Sequence, residues 1–311
     1  MTYVEDLSKV LDEVEKVLIG KREVIERVMT VFLAGGHILI EDIPGVGKTT
    51  LALAFSKALN LNSRRMQFTP DVLPSDVIGF HILNKEKQLE YRPGAIFTNI
   101  FLADEINRTS SKTQSALLEV MEEGNVTVDG YTREVPEPFI VIATQNPVGS
   151  AGTQKLPESQ LDRFMVKLTM GYPDIRSEIN IMKSKQNVNP MEQVQSVLQQ
   201  GELVEMKEQV EKVFIHDKVY EYIANLIMET RTSTLLELGV SPRGTIALAS
   251  LAKADAFMHG REFVLPEDVE NIFADVVCHR FVLNSKAKLE HVGERQIAKD
   301  ILRRIPAPRV G

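Results

Sequence analysis

A short apolar run, a glycine-bearing turn and a helix succeed one another between residues 37 and 59, and no other stretch limits the fold as strongly. His37-Ile38-Leu39-Ile40 has the length and composition of a buried strand. Glu41-Asp42-Ile43-Pro44-Gly45-Val46-Gly47-Lys48-Thr49-Thr50 follows as the turn, and Leu51 to Leu59 reads as a helix. This is the layout of a phosphate-binding loop. Gly45 and Gly47 carry no Cβ, so the backbone from Pro44 through Val46 to Thr50 can wrap close to phosphate oxygens. The free N–H groups at the helix start, at the positive end of its dipole, attract the anion. Lys48 is placed to reach the β- and γ-phosphates, and the Thr49 hydroxyl to ligate Mg²⁺. Asp42 stands where the general pattern has its first glycine. That position closes the strand and is not expected to touch phosphate, so binding should survive the change.

A second signature lies downstream. Ile96 to Ala103 is an apolar strand broken only by Thr98 and Asn99, and it ends in Asp104-Glu105. Asp104 is expected to hold Mg²⁺ through its water shell. Glu105 is expected to polarise the attacking water as a general base. Two acids at a strand end are common by themselves. They become specific when a phosphate loop precedes them with room for one strand between, here Arg64 to Phe68. Phe139 to Thr144 reads as another buried strand, ending in Gln145-Asn146-Pro147. Ligands of open α/β sheets bind at that edge. Asn146 can therefore orient water against a γ-phosphate, or simply form a turn before proline.

The chain has 311 residues, enough for one large or two moderate domains. Its net charge of −7 argues against a nucleic-acid or anionic-membrane surface. The one cysteine, Cys278, allows no internal disulfide, reads as an inert core thiol and suits a reducing cytoplasm. The six histidines show no metal-ligand spacing. The start lacks the regions of a signal peptide, and no apolar run approaches membrane-spanning length.

Residues 4–18 form an amphipathic helix, Ile19-Gly20 breaks it, and Lys21 to Leu33 resumes the helical pattern. The Ile19-Gly20 turn is either a plain link or a cover for the adenine base. Two hairpins follow, one joining Val77–Leu83 to Gln88–Arg92 and one turning at Asp129-Gly130. Arg163, between apolar residues at a helix end, invites a phosphate or subunit-interface role, or an ion pair with Asp162 or another acid. Beyond Pro173 strand signals nearly vanish, which places a domain boundary near residue 172. Residues 1–172 then form an α/β core with a parallel sheet flanked by helices, and 173–311 an all-helical lid. Ser241 reads as an N-cap and Pro242 as a first helical residue. Arg243 falls in the first turn, where the dipole disfavours a cation. A nearby anion would relieve this, whether a γ-phosphate or a surface acid.

Pro44-Gly45-Val46-Gly47-Lys48-Thr49, Leu102-Ala103-Asp104-Glu105-Ile106-Asn107-Arg108, Ala143-Thr144-Gln145-Asn146-Pro147 and Leu156-Pro157-Glu158-Ser159-Gln160-Leu161-Asp162-Arg163-Phe164, in this order, resemble a MoxR-type AAA+ ATPase. The resemblance spans most of residues 35–172; beyond 173 its main match is Ser241-Pro242-Arg243. It implies ATP and Mg²⁺ as ligands and ATP hydrolysis as the activity. It places Asn146 at the family's sensor 1, Arg163 at the arginine finger that reaches a neighbouring subunit's ATP, and Arg243 at sensor 2. It implies a homo-oligomeric ring, a hexamer, acting as a chaperone-like motor on a protein partner, with von Willebrand factor A domain proteins and metalloenzyme assembly as associations. A chelatase-like motor, a nucleic-acid motor and a non-hydrolysing nucleotide-gated scaffold stay open at this stage.

Overall fold

The structure, a computed structural model, describes residues 2–43, 45–146, 153–184, 190–199 and 201–309. Pro44, assigned above to the phosphate loop, lies outside them. Two helices, α1 (Thr2–Glu15) and α2 (Arg22–Leu33), lead into β1 (Ile38–Glu41) and α3 (Lys48–Ala58). Next come β2 (Ser63–Gln67), α4 (Pro74–Ile78), the hairpin β3 (Gly79–Leu83) with β4 (Leu89–Pro93), and β5 (Ile100–Asp104). Then follow α5 (Ser111–Glu123), the hairpin β6 (Asn125–Val128) with β7 (Tyr131–Glu134), β8 (Ile140–Gln145), α6 (Glu158–Leu161) and β9 (Val166–Leu168). Helices α7 (Ile175–Ser184), α8 (Glu202–Glu211) and α9 (Asp217–Thr232) begin the C-terminal part. A short strand β10 (Leu236–Leu238) precedes α10 (Pro242–Met258) and α11 (Pro266–Val277). Strand β11 (Val282–Leu283), α12 (Ser285–Leu289) and α13 (Glu294–Arg304) complete the chain.

The main sheet is parallel throughout, in the order β2-β5-β8-β1-β9. β1, β5 and β8 are apolar runs buried along almost their whole length, as strands covered on both faces must be. β2 carries Arg64 and Arg65 and lies at an edge, where charge blunts further pairing. The register explains why the site exists. Ile40 pairs with Thr144, Ala103 with Ala143, and Gln67 with Asp104. The C-terminal ends of β1, β8 and β5 therefore sit side by side.

Several elements differ from the sequence expectation. The strand expected from Ile96 begins at Ile100, because the Ile96 N–H is committed to Val77 O (3.1 Å) beside α4. β9, three residues long, is too short to show a period and is defined by pairing with β1. The C-terminal part is not wholly helical: β10 and β11 form a small antiparallel ribbon. Nor is it separately packed. One hydrophobic cluster runs from α1, α2 and α3 into α8 to α11, including Phe32 and Phe55 with rings 5.0 Å apart.

The two hairpins meet each other, which local sequence does not reveal. His81 Nδ1 lies 2.7 Å from Asp129 Oδ2, and the Arg133 guanidinium lies 3.8 Å from the Tyr91 ring centre. The first hairpin ends in Leu83 paired with Leu89, 69% and 72% exposed. Among the described residues no helix is long and apolar enough to cross a membrane.

Candidate nucleotide site

Gly47 is the N-cap of α3 with φ 101°, and Gly45 has φ 87°; both conformations are open to glycine and strained for other residues. A Cβ on Gly47 would also stand 3.1 Å from Leu18 Cδ2, a tight approach. Leu18 begins the Ile19-Gly20 turn, so that turn lies directly beside the loop. Gly20 (φ 73°) approaches α7 so closely that a Cβ would come 2.1 Å from Ser177 Oγ. The structure thus sets Leu18 against the loop and Gly20 against the start of α7.

Lys48 is buried, and its Nζ donates to Asp42 O (2.8 Å) and Ile43 O (3.3 Å). Burial pushes its ammonium below the ordinary lysine range, against the opposing pull of Asp104, Asp42 and Glu105. Thr49 and Thr50 lie in the first turn of α3, half-buried.

Asp42 does more than close a strand. Its buried carboxylate accepts from Ile43 N (2.8 Å), Met170 N (2.6 Å) and Gly171 N (2.7 Å). Lys21 grips the same segment, donating to Met170 O (2.7 Å), Gly171 O (3.0 Å) and Tyr172 O (3.0 Å). A glycine at position 42 could not tie the phosphate loop to the chain leaving β9. Asp42→Ala is expected to destabilise the fold by about 2 kcal/mol or more, since it leaves N–H donors of Met170 and Gly171 without a partner. A chemical-denaturation midpoint equal to the parent's would contradict this.

At the neighbouring strand ends Thr144 Oγ1 donates to Asp104 Oδ1 (2.6 Å) and accepts from the Glu105 N–H (2.9 Å). Glu105 has φ 57°, a left-handed conformation costly for a residue with a side chain, and such strain gathers at functional sites. Its carboxylate accepts from Asn146 Nδ2 (2.9 Å) and from Arg108 Nη1 (2.8 Å). Burial alone would raise the Glu105 carboxyl; the hydrogen bonds from Arg108 and Asn146 outweigh it and hold the group below its ordinary range. Asp104 also accepts from Arg65, through Nη2 (2.7 Å) and Nε (3.1 Å). The donor set of Asp104 and Thr49 is a carboxylate and a hydroxyl, the hard oxygens that Mg²⁺ takes.

Arg163 and Arg243 form a second group. Both bond one carboxylate, Glu122: Arg163 Nη1 at 2.5 Å from Oε2, and Arg243 through Nη2 to Oε1. Arg163 Nη1 also donates to Leu118 O (2.7 Å). Each arginine has an acid partner, one of the two readings open in the sequence, but Asp162 is not the partner of Arg163. Asp162 pairs with Arg280 instead, 2.8 Å from its Nε. Glu122 lies in the last turn of α5, whose start follows the Glu105 turn. At about 1.5 Å rise per residue, Glu122 lies roughly 16 Å along the axis from Ser111.

Known proteins resemble this chain in sequence and in fold. The family model described as "ATPase family associated with various cellular activities (AAA)" matches residues 37–166, and the AAA lid domain model matches 228–301. The chain is 44% identical over 313 residues to protein YeaC of Bacillus subtilis, an uncharacterised protein, covering 99% of this chain and 98% of that one. It is 34% identical to the chaperone MoxR1 of Mycobacterium tuberculosis, covering 99% and 84%. This chain is a MoxR-type AAA+ ATPase. The crystal structure of a protein from Cytophaga hutchinsonii described as a "putative ATPase" superposes with a TM-score of 0.91 at 40% identity, covering 99% of this chain and 96% of that one. AAA+ membership carries nucleotide binding with it.

Sequence reasoning missed Thr144, Arg65, Arg108, Glu122 and Arg280. Thr144 alone carried a signal: a hydroxyl in an apolar strand two residues before Asn146. Cys278 is half-buried and burial pushes its thiol up to about 12, in keeping with an inert group.

Proposed function

We propose that this MoxR-type chain hydrolyses ATP to ADP and phosphate, at sites completed between neighbouring subunits of a ring. The observation that carries the reading is the meeting of Asp104, Glu105, Thr144 and Asn146 at the ends of the adjacent strands β5 and β8, with Asp104 and Glu105 within the electrostatic reach of Lys48.

In this reading the loop from Pro44 to Thr50 and Lys48 hold the phosphates. Ile19 and Gly20 cover the base. Thr49 and Asp104 would hold Mg²⁺, which when bound neutralises phosphate charge. Glu105 takes the proton of the attacking water. Asn146, bonded to Glu105, fixes the direction in which that base faces. Arg163 and Arg243 stabilise charge on the nucleotide of a neighbouring subunit. Support for the trans assignment comes from Glu122, which gathers both guanidiniums near the end of α5 remote from Glu105. The core is taken as 1–172 and the lid as 173–311, hinged where Asp42 and Lys21 grip residues 170–172. Work from the cycle goes into remodelling a protein partner, a reading that rests on the chaperone name of the MoxR1 relative and, for von Willebrand factor A domain partners, on family resemblance. A hexamer and a cytoplasmic setting belong to the same proposal.

ATP turnover per subunit, measured over a wide range of protein concentration, tests it. The rate is expected to climb steeply and then level off. A flat rate, with light scattering showing that the oligomer dissociates over the same range, would sink the shared-site reading. No turnover in an assembled ring supplied with its partner would leave a nucleotide-gated scaffold.

A further inference from the structure

We propose that Arg280 is a positioning residue that sets both trans-acting arginines from a single buried point. The proposal rests on the reading that Arg163 and Arg243 act on a neighbour's nucleotide.

The Arg280 side chain is only 2% exposed. A buried guanidinium is costly unless it is paired and its donors are used. Here they are used on the backbone that carries Arg163. Nε donates to Asp162 Oδ1 (2.8 Å). Nη2 donates to Asp162 O (3.1 Å) and Phe164 O (2.7 Å). Nη1 donates to Met165 O (3.2 Å) and to Val276 O. The chain is therefore fixed on both sides of Arg163, while the Arg163 side chain projects to Glu122. The neighbouring His279 lies against the same carbonyl, its Nε2 3.0 Å from Phe164 O and 2.9 Å from Arg280 Nη1.

The same point fixes Arg243. Ser241 Oγ donates to Asp162 Oδ2 (2.8 Å) and accepts from the Gly244 N–H (3.1 Å), capping α10. Gly244 is pressed against Arg280: a Cβ there would come 2.8 Å from Arg280 Cδ. Arg243 lies between Ser241 and Gly244, so its backbone is set by Asp162 and Arg280. One lid guanidinium thus links the first turn of α10 to the finger segment, and a lid movement would carry both arginines together.

Arg280→Lys is the test. Lysine keeps the charge but replaces a planar fork by one nitrogen, so it cannot hold these carbonyls together. Affinity for a fluorescent ATP analogue is expected to stay within about twofold, since the phosphate loop is intact, while turnover falls about 10²-fold from misplacement. Mixing with Lys48→Ala chains, which keep well-placed arginines, is expected to restore activity. A loss of general stability would not be mended by mixing. Arg163→Ala mixed with Lys48→Ala runs alongside. If that pair recovers and the Arg280→Lys pair does not, Arg280 has no positioning role and the trans reading stands. If neither recovers although mixed rings form, the trans reading falls and this proposal with it. Parent-level turnover by Arg280→Lys alone also overturns it. Should Arg280→Lys not fold, Asp162→Asn takes its place in the same mixing experiment, with the same outcomes.

Discussion

Arg163→Ala is expected to lose turnover by about 10³–10⁵, the range over which an arginine supplied in trans acts in related phosphoryl-transfer enzymes. The loss is large because there is little covalent chemistry for the protein to perform. Positioning and charge stabilisation make up almost all of the catalysis. The phosphate loop of the variant is untouched, so ATP binding is expected to persist. What separates a trans role from a structural one is complementation. Lys48→Ala chains cannot hold ATP but retain Arg163. In a ring built head to tail from equal amounts of the two variants, roughly a quarter of interfaces pair an intact loop with an intact finger. Activity is expected to return in about that proportion. Mixed rings that form yet stay silent would place Arg163 in its own subunit's architecture. The structure makes that a serious test, because Arg163 already has two partners within the subunit, Glu122 and Leu118 O.

Glu105→Gln is expected to keep ATP affinity and lose turnover by about 10²–10⁴, the usual worth of a positioned general base. Glutamine preserves the shape and the acceptor for Asn146 but cannot take a proton. Isothermal titration with ATP and a phosphate-release assay read the two effects separately. Turnover at the parent rate would remove Glu105 from the role of base. The pH profile carries a sign. Because Arg108 and Asn146 overcome the effect of burial and hold the Glu105 carboxyl low, the base is already deprotonated throughout the neutral range. Protonation of Glu105 should therefore cost activity only on the acid side of the ordinary carboxylate range. An acid limb near neutrality would belong to another group.

The local motifs were legible in the sequence because each is written in consecutive residues. Apolar runs fixed β1, β5 and β8, where burial on both faces demands them. The turn before α3 was legible because a backbone that wraps tightly needs glycine at set positions, and Gly45 and Gly47 do take positive φ. The end of β5 at Asp104 and the start of α10 after Ser241 followed from the same short-range rules. The nucleotide edge could be anticipated once three such strands were seen to end in polar residues.

What the tertiary structure decided is which distant residues share a charge. Asp42 looked like a tolerated departure from a pattern; only the path of residues 170–171 past β1 shows it holding two backbone N–H groups. An ion pair of Arg163 with Asp162 was one of the readings open in sequence. Neighbouring side chains diverge along the chain, and Arg280, 118 positions away, claims Asp162 instead. Glu122 gave no local sign at all, one acid among several on an amphipathic helix, until folding set two arginines against it. Short-range rules act through backbone conformation and solvent, so they can be read from neighbours in the chain. Ion pairing and hydrogen bonding between buried groups depend on proximity in space, and only the packed sheet and lid supply it.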